Sequence, residues 1–131
     1  MNRRRFFSRV LNLITLLPAV AVAYPRPEPK PALVLLTTQI AGFQYYTGEQ
    51  IWDQLRNNDK LILHRQPTNP HDDRAVEVYW QNYKLGYIPR RDNAVIAQLM
   101  DKGTLLQARI TRLEDEDYPW QCIELSVYAK V

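Results

Sequence analysis

Hydrophobic residues along the chain fall in short runs, most of them alternating with polar ones, and few keep the spacing of a long helix. Residues 33–40 read as a strand, and Ala41-Gly42-Phe43-Gln44-Tyr45-Tyr46 extends it past a glycine that permits a bulge or bend. Ile51, Trp52 and Leu55 share the i, i+1, i+4 spacing of one helical face, which Asn57-Asn58-Asp59 ends. Leu61-Ile62-Leu63 is a compact apolar strand. Residues 75–80 alternate with period two and turn at Gln81-Asn82 into residues 83–88, a hairpin that Pro89 closes. Asp92 or Asn93 caps a helix with Val95, Ile96, Leu99 and Met100 as its apolar face, Lys102 favourable to its dipole and Gly103 just past its end. Strands over residues 105–113 and 120–127 follow, joined by the acidic loop 114–119. Only the helical links are long enough for parallel crossovers. The expected fold is therefore mostly β: a small OB-like or SH3-like antiparallel barrel of about six strands, with one or two short helices.

The first thirty residues have a different character. A basic start, an apolar stretch from Val10 to Ala23 and the small-x-small site Ala21-Val22-Ala23 form the three-part layout of a signal peptide, cleaved after Ala23. The 14 apolar residues, interrupted by Pro18, fall short of the roughly 20 that span a bilayer, so an inner-membrane anchor at residues 10–23 is the weaker alternative. Arg3-Arg4-Arg5-Phe6-Phe7 is compatible with a twin-arginine signal and equally with the general secretion route. Either way the segment engages export machinery, and the expected location is periplasmic or otherwise exported. Proline at every second position from Pro25 to Pro31 makes residues 24–31 a stiff polyproline-like linker, which leaves residues 32–131 as one domain.

Composition then narrows the chemistry. A single cysteine, Cys122, excludes an intrachain disulfide and cysteine-rich metal sites, and its place in an apolar strand pattern makes it a buried structural thiol. The net charge is +3, but four of the 17 basic side chains lie in residues 1–23, where there is no acid. The other 13 face 14 acidic ones, so any basic face must be local.

The densest cluster of polar chemistry is residues 64–80, HRQPTNPHDDRAVEVYW. His64, His71, Asp72 and Asp73 are metal-ligand types, yet they lack HxH or HExxH spacing and a second cluster, so neither metal nor cofactor is expected. Asp72 and Asp73 are adjacent and point to opposite sides of an extended segment, which argues against a shared catalytic role. Hydrolysis at that turn is a weak alternative to a non-enzyme. Asn69-Pro70 starts a turn within which an aspartate can accept backbone N–H groups, and this structural role alone is a sufficient explanation of the stretch.

GFQYYTG (42–48), LILHRQPTNPHDDRAVEV (61–78) and LGYIPR (85–90) followed by a helix resemble the HIRAN domain. That module occurs at the N-terminus of certain eukaryotic fork-remodelling helicase-like proteins and alone in bacteria. The resemblance runs from about Ile40 to Leu113, and it rests on the R-x-P-x-N-P-x-D-x-x-A-V-x-V block (65–78) and the G-Y-I-P block (86–89) together, not on either alone. It implies an OB-like barrel that binds single-stranded DNA at a free 3′ end, while the helicase and ubiquitin-ligase activities linked with the family reside in other domains. Carried over, the family's contacts fall on Gln44, Tyr45, Tyr46, Asn69, Asp72 and, more loosely, Tyr87, with His71 in a place often held by an aromatic residue. Gln44 departs from the arginine of DNA-end-binding relatives and removes a phosphate contact. Arg65, Arg74, Lys84, Arg90 and Arg91 are candidates to compensate, although residues 44–91 hold seven basic side chains against six acidic ones.

The chemistry of these residue types fits such a ligand. Adjacent tyrosines on an extended segment face opposite ways, so one can pack inside while the other stacks on a base, worth about 1 to 3 kcal/mol. Asp72 can accept a hydrogen bond from a terminal sugar hydroxyl, a group that exists only where a strand stops. The acidic loop 114–117 would sit away from nucleic acid. The rival expectation is an extracytoplasmic interaction domain whose groove takes a peptide, glycan or protein partner.

Overall fold

A computed structural model of the chain describes residues 33–115 and 121–129. The signal segment, the proline linker and residues 116–120 of the acidic loop and following strand start lie outside the described residues. The strands are β1 (Leu33–Gln39), β2 (Lys60–Gln66), β3 (Ala75–Trp80), β4 (Tyr83–Tyr87), β5 (Leu106–Glu114) and β6 (Cys122–Ala129), with one helix, α1 (Asn93–Asp101), between β4 and β5. Every strand pairing is antiparallel, in the order β1-β6-β5-β2-β3-β4. Just past the end of β1, Ala41 and Tyr87 exchange backbone hydrogen bonds of 2.8 and 3.0 Å, which joins the two edges and closes the sheet into a barrel.

Alternation explains the interior. Val76, Val78 and Trp80 of β3 point inward with Leu85, Ile110, Ile123, Leu125 and Val127, all buried. The outward set of the same strand is Ala75, Glu77 and Tyr79. β3 pairs with β4 through a register shift in which Leu85 is the extra residue. Lys84 and Tyr87 are an odd number of residues apart, and the shift is what brings both to the outer side. Gly86 sits at this place with φ +150°, and a Cβ there would lie 2.3 Å from the Ala41 carbonyl oxygen. The close approach that closes the barrel thus requires glycine.

Several expectations are corrected. Residues 42–46 do not continue the strand: Gly42 adopts φ 76° and turns the chain into a 3-10 turn at Phe43–Tyr45. Phe43 is drawn inside against Trp52, ring centroids 5.7 Å apart, and a second 3-10 segment, Thr47–Gln54, stands where a helical turn was expected. The apolar face of α1 is rotated: Asn93, Ile96 and Ala97 are buried, Met100 packs against the core, and Val95 is 60% exposed. Asp92 holds the N-cap position as expected, but its carboxylate makes no bond to the helix and instead accepts a 2.7 Å bond from the Thr38 hydroxyl of β1. The other end agrees with expectation, since Gly103 is left-handed and the N–H groups of Gly103 and Thr104 return to Met100 and Leu99. Cys122, expected to be a buried thiol, opens β6 only half-buried.

Candidate nucleic-acid interface

The Asn69-Pro70 corner between β2 and β3 is built by its own side chains. Asn69 Oδ1 accepts the backbone N–H groups of His71 and Asp72 at 2.8 and 3.1 Å, while its amide donates to Gln66 Oε1 at 2.8 Å. Asp72 in turn accepts the Arg74 N–H at 3.0 Å through Oδ1 and the Asn93 amide at 2.8 Å through Oδ2. The first bond is local to the turn and the second fixes the turn to α1. Burial on its own would raise the Asp72 pKa, but the Arg74 N–H, the Asn93 amide and the Arg90 charge outweigh it and hold the carboxyl below its ordinary value. Arg90 stands at the rim, its Nε 3.9 Å from Asp72 Oδ2 and its guanidinium donating to the His71 carbonyl.

A polar chain runs from this corner across the outer face of the barrel. The Tyr87 hydroxyl donates to Gln66 Oε1 at 3.0 Å and accepts from Lys84 Nζ at 2.8 Å. Lys84 is 3.0 Å from Glu77, which also accepts from His64 Nδ1 and the Tyr79 hydroxyl at 2.9 and 3.0 Å. Glu77 is 5% exposed, and its burial would raise its pKa, yet the bonds from His64, Lys84 and Tyr79 turn the shift downward. For Lys84, burial works to lower the pKa, and the Tyr87 hydroxyl and Glu77 carboxylate overcome it and raise the ammonium above the ordinary lysine value. The same ammonium lies 4.5 Å from the ring centre of Tyr46 and 4.2 Å from that of Tyr87. Those rings meet edge to face at 6.0 Å, an arrangement favoured by the aromatic quadrupole.

Tyr46, Tyr87, Asn69, His71, Asp72 and Arg90 surround one open cleft of about 310 Å³, floored by Ala41, Ala75 and Ile88. Of the residues anticipated from sequence, five come together there with Arg90. The others do not. Gln44 and Tyr45 are exposed on the neighbouring 3-10 turn, Tyr45 by 78%. The tyrosines still divide into one exposed and one partly packed ring, though a turn and not strand alternation separates them. Arg65 forks onto Asp101 at 3.0 and 3.3 Å and bonds the Ala75 carbonyl, so it ties β2 to α1. Arg91 is exposed, 3.5 Å from Asp92. Arg74 lies on an adjoining shallow groove with Pro70 and Asp73.

Sequence reasoning missed Gln66, Glu77 and Asn93. Period two in β3 does give Glu77 as outward-facing, but nothing in the pattern shows that His64, Tyr79 and Lys84 cover it. Among the described residues no cluster of three His, Cys, Asp or Glu side chains could hold a metal ion. A larger depression of about 530 Å³ lies between β2 and β5, where pairing is confined to Lys60–Arg109 and Leu61–Ala108. It holds none of the anticipated side chains.

Comparison with known proteins bears on this geometry. The chain is 38% identical over 73 residues to the helicase-like transcription factor of Mus musculus and 34% identical over 67 residues to that of Oryctolagus cuniculus. The matched stretches cover 53% and 50% of this chain but 7% and 6% of those proteins, so the chain spans a small part of the relatives it matches. A crystal structure of a Lactobacillus plantarum protein superposes with a TM-score of 0.67 at 34% identity, covering 76% of this chain and 95% of that one. The crystal structure of the HIRAN domain of human HLTF superposes with a TM-score of 0.57 at 21% identity over 76% of this chain and 80% of that one. The NMR structure of the HLTF HIRAN domain in its DNA-bound conformation gives a TM-score of 0.51 at 21% identity over 79% of this chain and 83% of that one. Both show the shared OB-like barrel. Residues 33–131 match the HIRAN domain family as a whole, three quarters of the chain and all the elements described above, and the protein belongs to that family.

Proposed function

We propose that this domain binds single-stranded DNA, takes a free 3′ end in the cleft beside Asp72, and performs no reaction of its own. The observation that carries the reading is the meeting of a tyrosine pair, a carboxylate held ionised and a rim arginine around one cleft whose volume is at the lower end of ligand sites. Nucleic-acid binding is supported by the DNA-bound conformation of the HLTF HIRAN domain. The preference for an end is argued from chemistry. An ionised carboxylate has about four acceptor positions, and two of those of Asp72 are taken by short bonds, so it has capacity for a terminal hydroxyl. An internal nucleotide presents a phosphate diester at that place, and a carboxylate repels it.

Each group then has a distinct task. The free faces of Tyr46 and Tyr87 receive the terminal base or sugar, Asn69 holds the corner in shape, and Arg90 offsets the Asp72 charge while remaining within reach of the next phosphate. Lys84 is committed to Glu77 and the two rings and contributes to the platform, not to phosphate binding. Residues 1–23 support an exported destination for this activity.

Fluorescence anisotropy with short single strands bearing a 3′ hydroxyl or a 3′ phosphate tests the proposal. The expected result is tighter binding of the free end, by roughly tenfold or more, the scale of a hydrogen bond to a charged group. Equal binding of both would refute the part given to Asp72, and no binding to any oligonucleotide at low salt would remove the DNA reading altogether. Cell fractionation tests export: uncleaved protein in the cytosol would contradict it.

A further inference from the structure

We propose a second stacking subsite on the outer face of β2 and β3, in which the Tyr79 ring receives a base of the same single strand, upstream of its terminal nucleotide. This rests on the end-binding reading of the cleft and names where the rest of the strand runs. Tyr79 is partly exposed, and its hydroxyl bonds Glu77, two residues back on the same strand. To reach that far the ring must lie along the sheet, so one of its faces is turned outward. The His64 ring stands against it edge-on, centroids 6.3 Å apart and planes at 86°. Ile62, His64, Tyr79 and Gln81 line an open depression of about 250 Å³. A flat ring, a perpendicular wall and an open floor are what a sequence-tolerant base platform needs.

Position and charge both connect this platform to the cleft. Tyr79 pairs with Lys84 across β3 and β4, and Glu77 pairs with Tyr87, the wall of the cleft. Tyr79 therefore lies two residues along β3 from the cleft wall, about 7 Å, or roughly two base rises of a stacked strand. On this route the outward side chains of β2, β3 and β4 include one carboxylate, Glu77, and it is buried under His64, Tyr79 and Lys84. A strand leaving the cleft on the opposite side, past Arg74, meets a surface of mixed charge, with exposed Asp73 and with Asp101 already paired to Arg65. The route over Tyr79 offers an open ring and no exposed carboxylate.

The test compares a dinucleotide with a ten-residue oligothymidylate, both with free 3′ ends, on the full chain. Wild-type protein is expected to bind the longer strand more tightly. Tyr79→Ala should weaken the longer strand about tenfold, the scale of one stacked base, and leave the dinucleotide and the free-end preference unchanged. Tyr79→Phe, which keeps the ring but loses its bond to Glu77, should retain the dinucleotide affinity and lose less for the longer strand than Tyr79→Ala. Ile62→Glu, on an exposed position of the depression opposite Tyr79, gives the same length-selective loss while the ring itself is kept, and guards against a folding defect in Tyr79→Ala. Equal affinity of wild-type protein for the two lengths, or indifference of the longer strand to Tyr79→Ala and Ile62→Glu, would overturn the subsite. Tyr46→Ala separates the two readings: if it changes nothing while Tyr79→Ala weakens the long strand, the cleft reading fails and the platform stands. Absence of binding to either length removes both.

Discussion

On the end-binding proposal Asp72 has two duties, fixing its turn and selecting the strand end, and a single substitution separates them. Replacing it with asparagine keeps its shape but removes the charge that Arg90 faces and weakens its acceptance of the Arg74 N–H, so Asp72→Asn should erase the difference between free and blocked 3′ ends in anisotropy titrations. The same residue links stability to pH. Asp72 and Glu77 both titrate below their ordinary values of 3.8 and 4.5, so the stability they contribute is present above those values and disappears as pH falls through the lower folded ones. Lys84 works in the other sense: its raised pKa contributes stability that is complete below its ordinary 10.5 and is lost at higher pH as the ammonium deprotonates. Urea midpoints should therefore fall between pH 5 and pH 2, and less steeply in Glu77→Gln. At this scale the sequence was partly legible. The Asn-Pro corner announces itself because asparagine and aspartate bond backbone N–H groups two or three residues on. Lys84 does not, because a lysine on an outward strand position looks like a solvated charge until a register shift puts it over two rings.

Elements carry the next layer. Glu77 and Lys84 belong to neighbouring strands and are both mostly shielded, so removing one leaves the other without its counter-charge. Lys84→Met should destabilise the domain by about 2 kcal/mol or more, and the double variant Glu77→Leu, Lys84→Met by less than that, which chemical denaturation of the set would show. Gly86→Ala should be harsher on closure. The added methyl meets the Ala41 carbonyl oxygen at a backbone angle that costs about 1 to 3 kcal/mol before any contact is counted, and a drop in thermal midpoint checks it. The strands were legible because short apolar runs, alternating most clearly in β3, end at turn residues. The segment after β1 was not, since Gly42 can bend a strand or end it, and what decides is the burial of Phe43 against Trp52. The rotation of α1 has a similar source: Asn93 looks like a cap residue and is instead the first buried position of the helix, held by Asp72 from another part of the chain.

At the scale of the whole molecule, the DNA-binding proposal makes charge set the manner of binding. Among the basic side chains around the cleft, Arg90 and Arg74 alone lie on its rim and adjoining groove, so the slope of log affinity against log salt should have a magnitude no larger than about 1.4, two phosphates at 0.7 each for a single strand. A steeper slope would point to a basic surface elsewhere, and Gln44→Arg should steepen it by roughly one contact. Family membership was legible from two spaced blocks of residues. The union of the sheet edges at Ala41 and Tyr87 was not, because it joins positions far apart in the chain by backbone bonds that carry no side-chain signature. Tyr87 holds the seam with its main chain and lines the cleft with its ring. Occupancy of the cleft and integrity of the seam are then two readings of one equilibrium: a ligand that steadies the ring should slow amide exchange at Ala41 and Tyr87, and loosening the seam must weaken the ligand by the same factor.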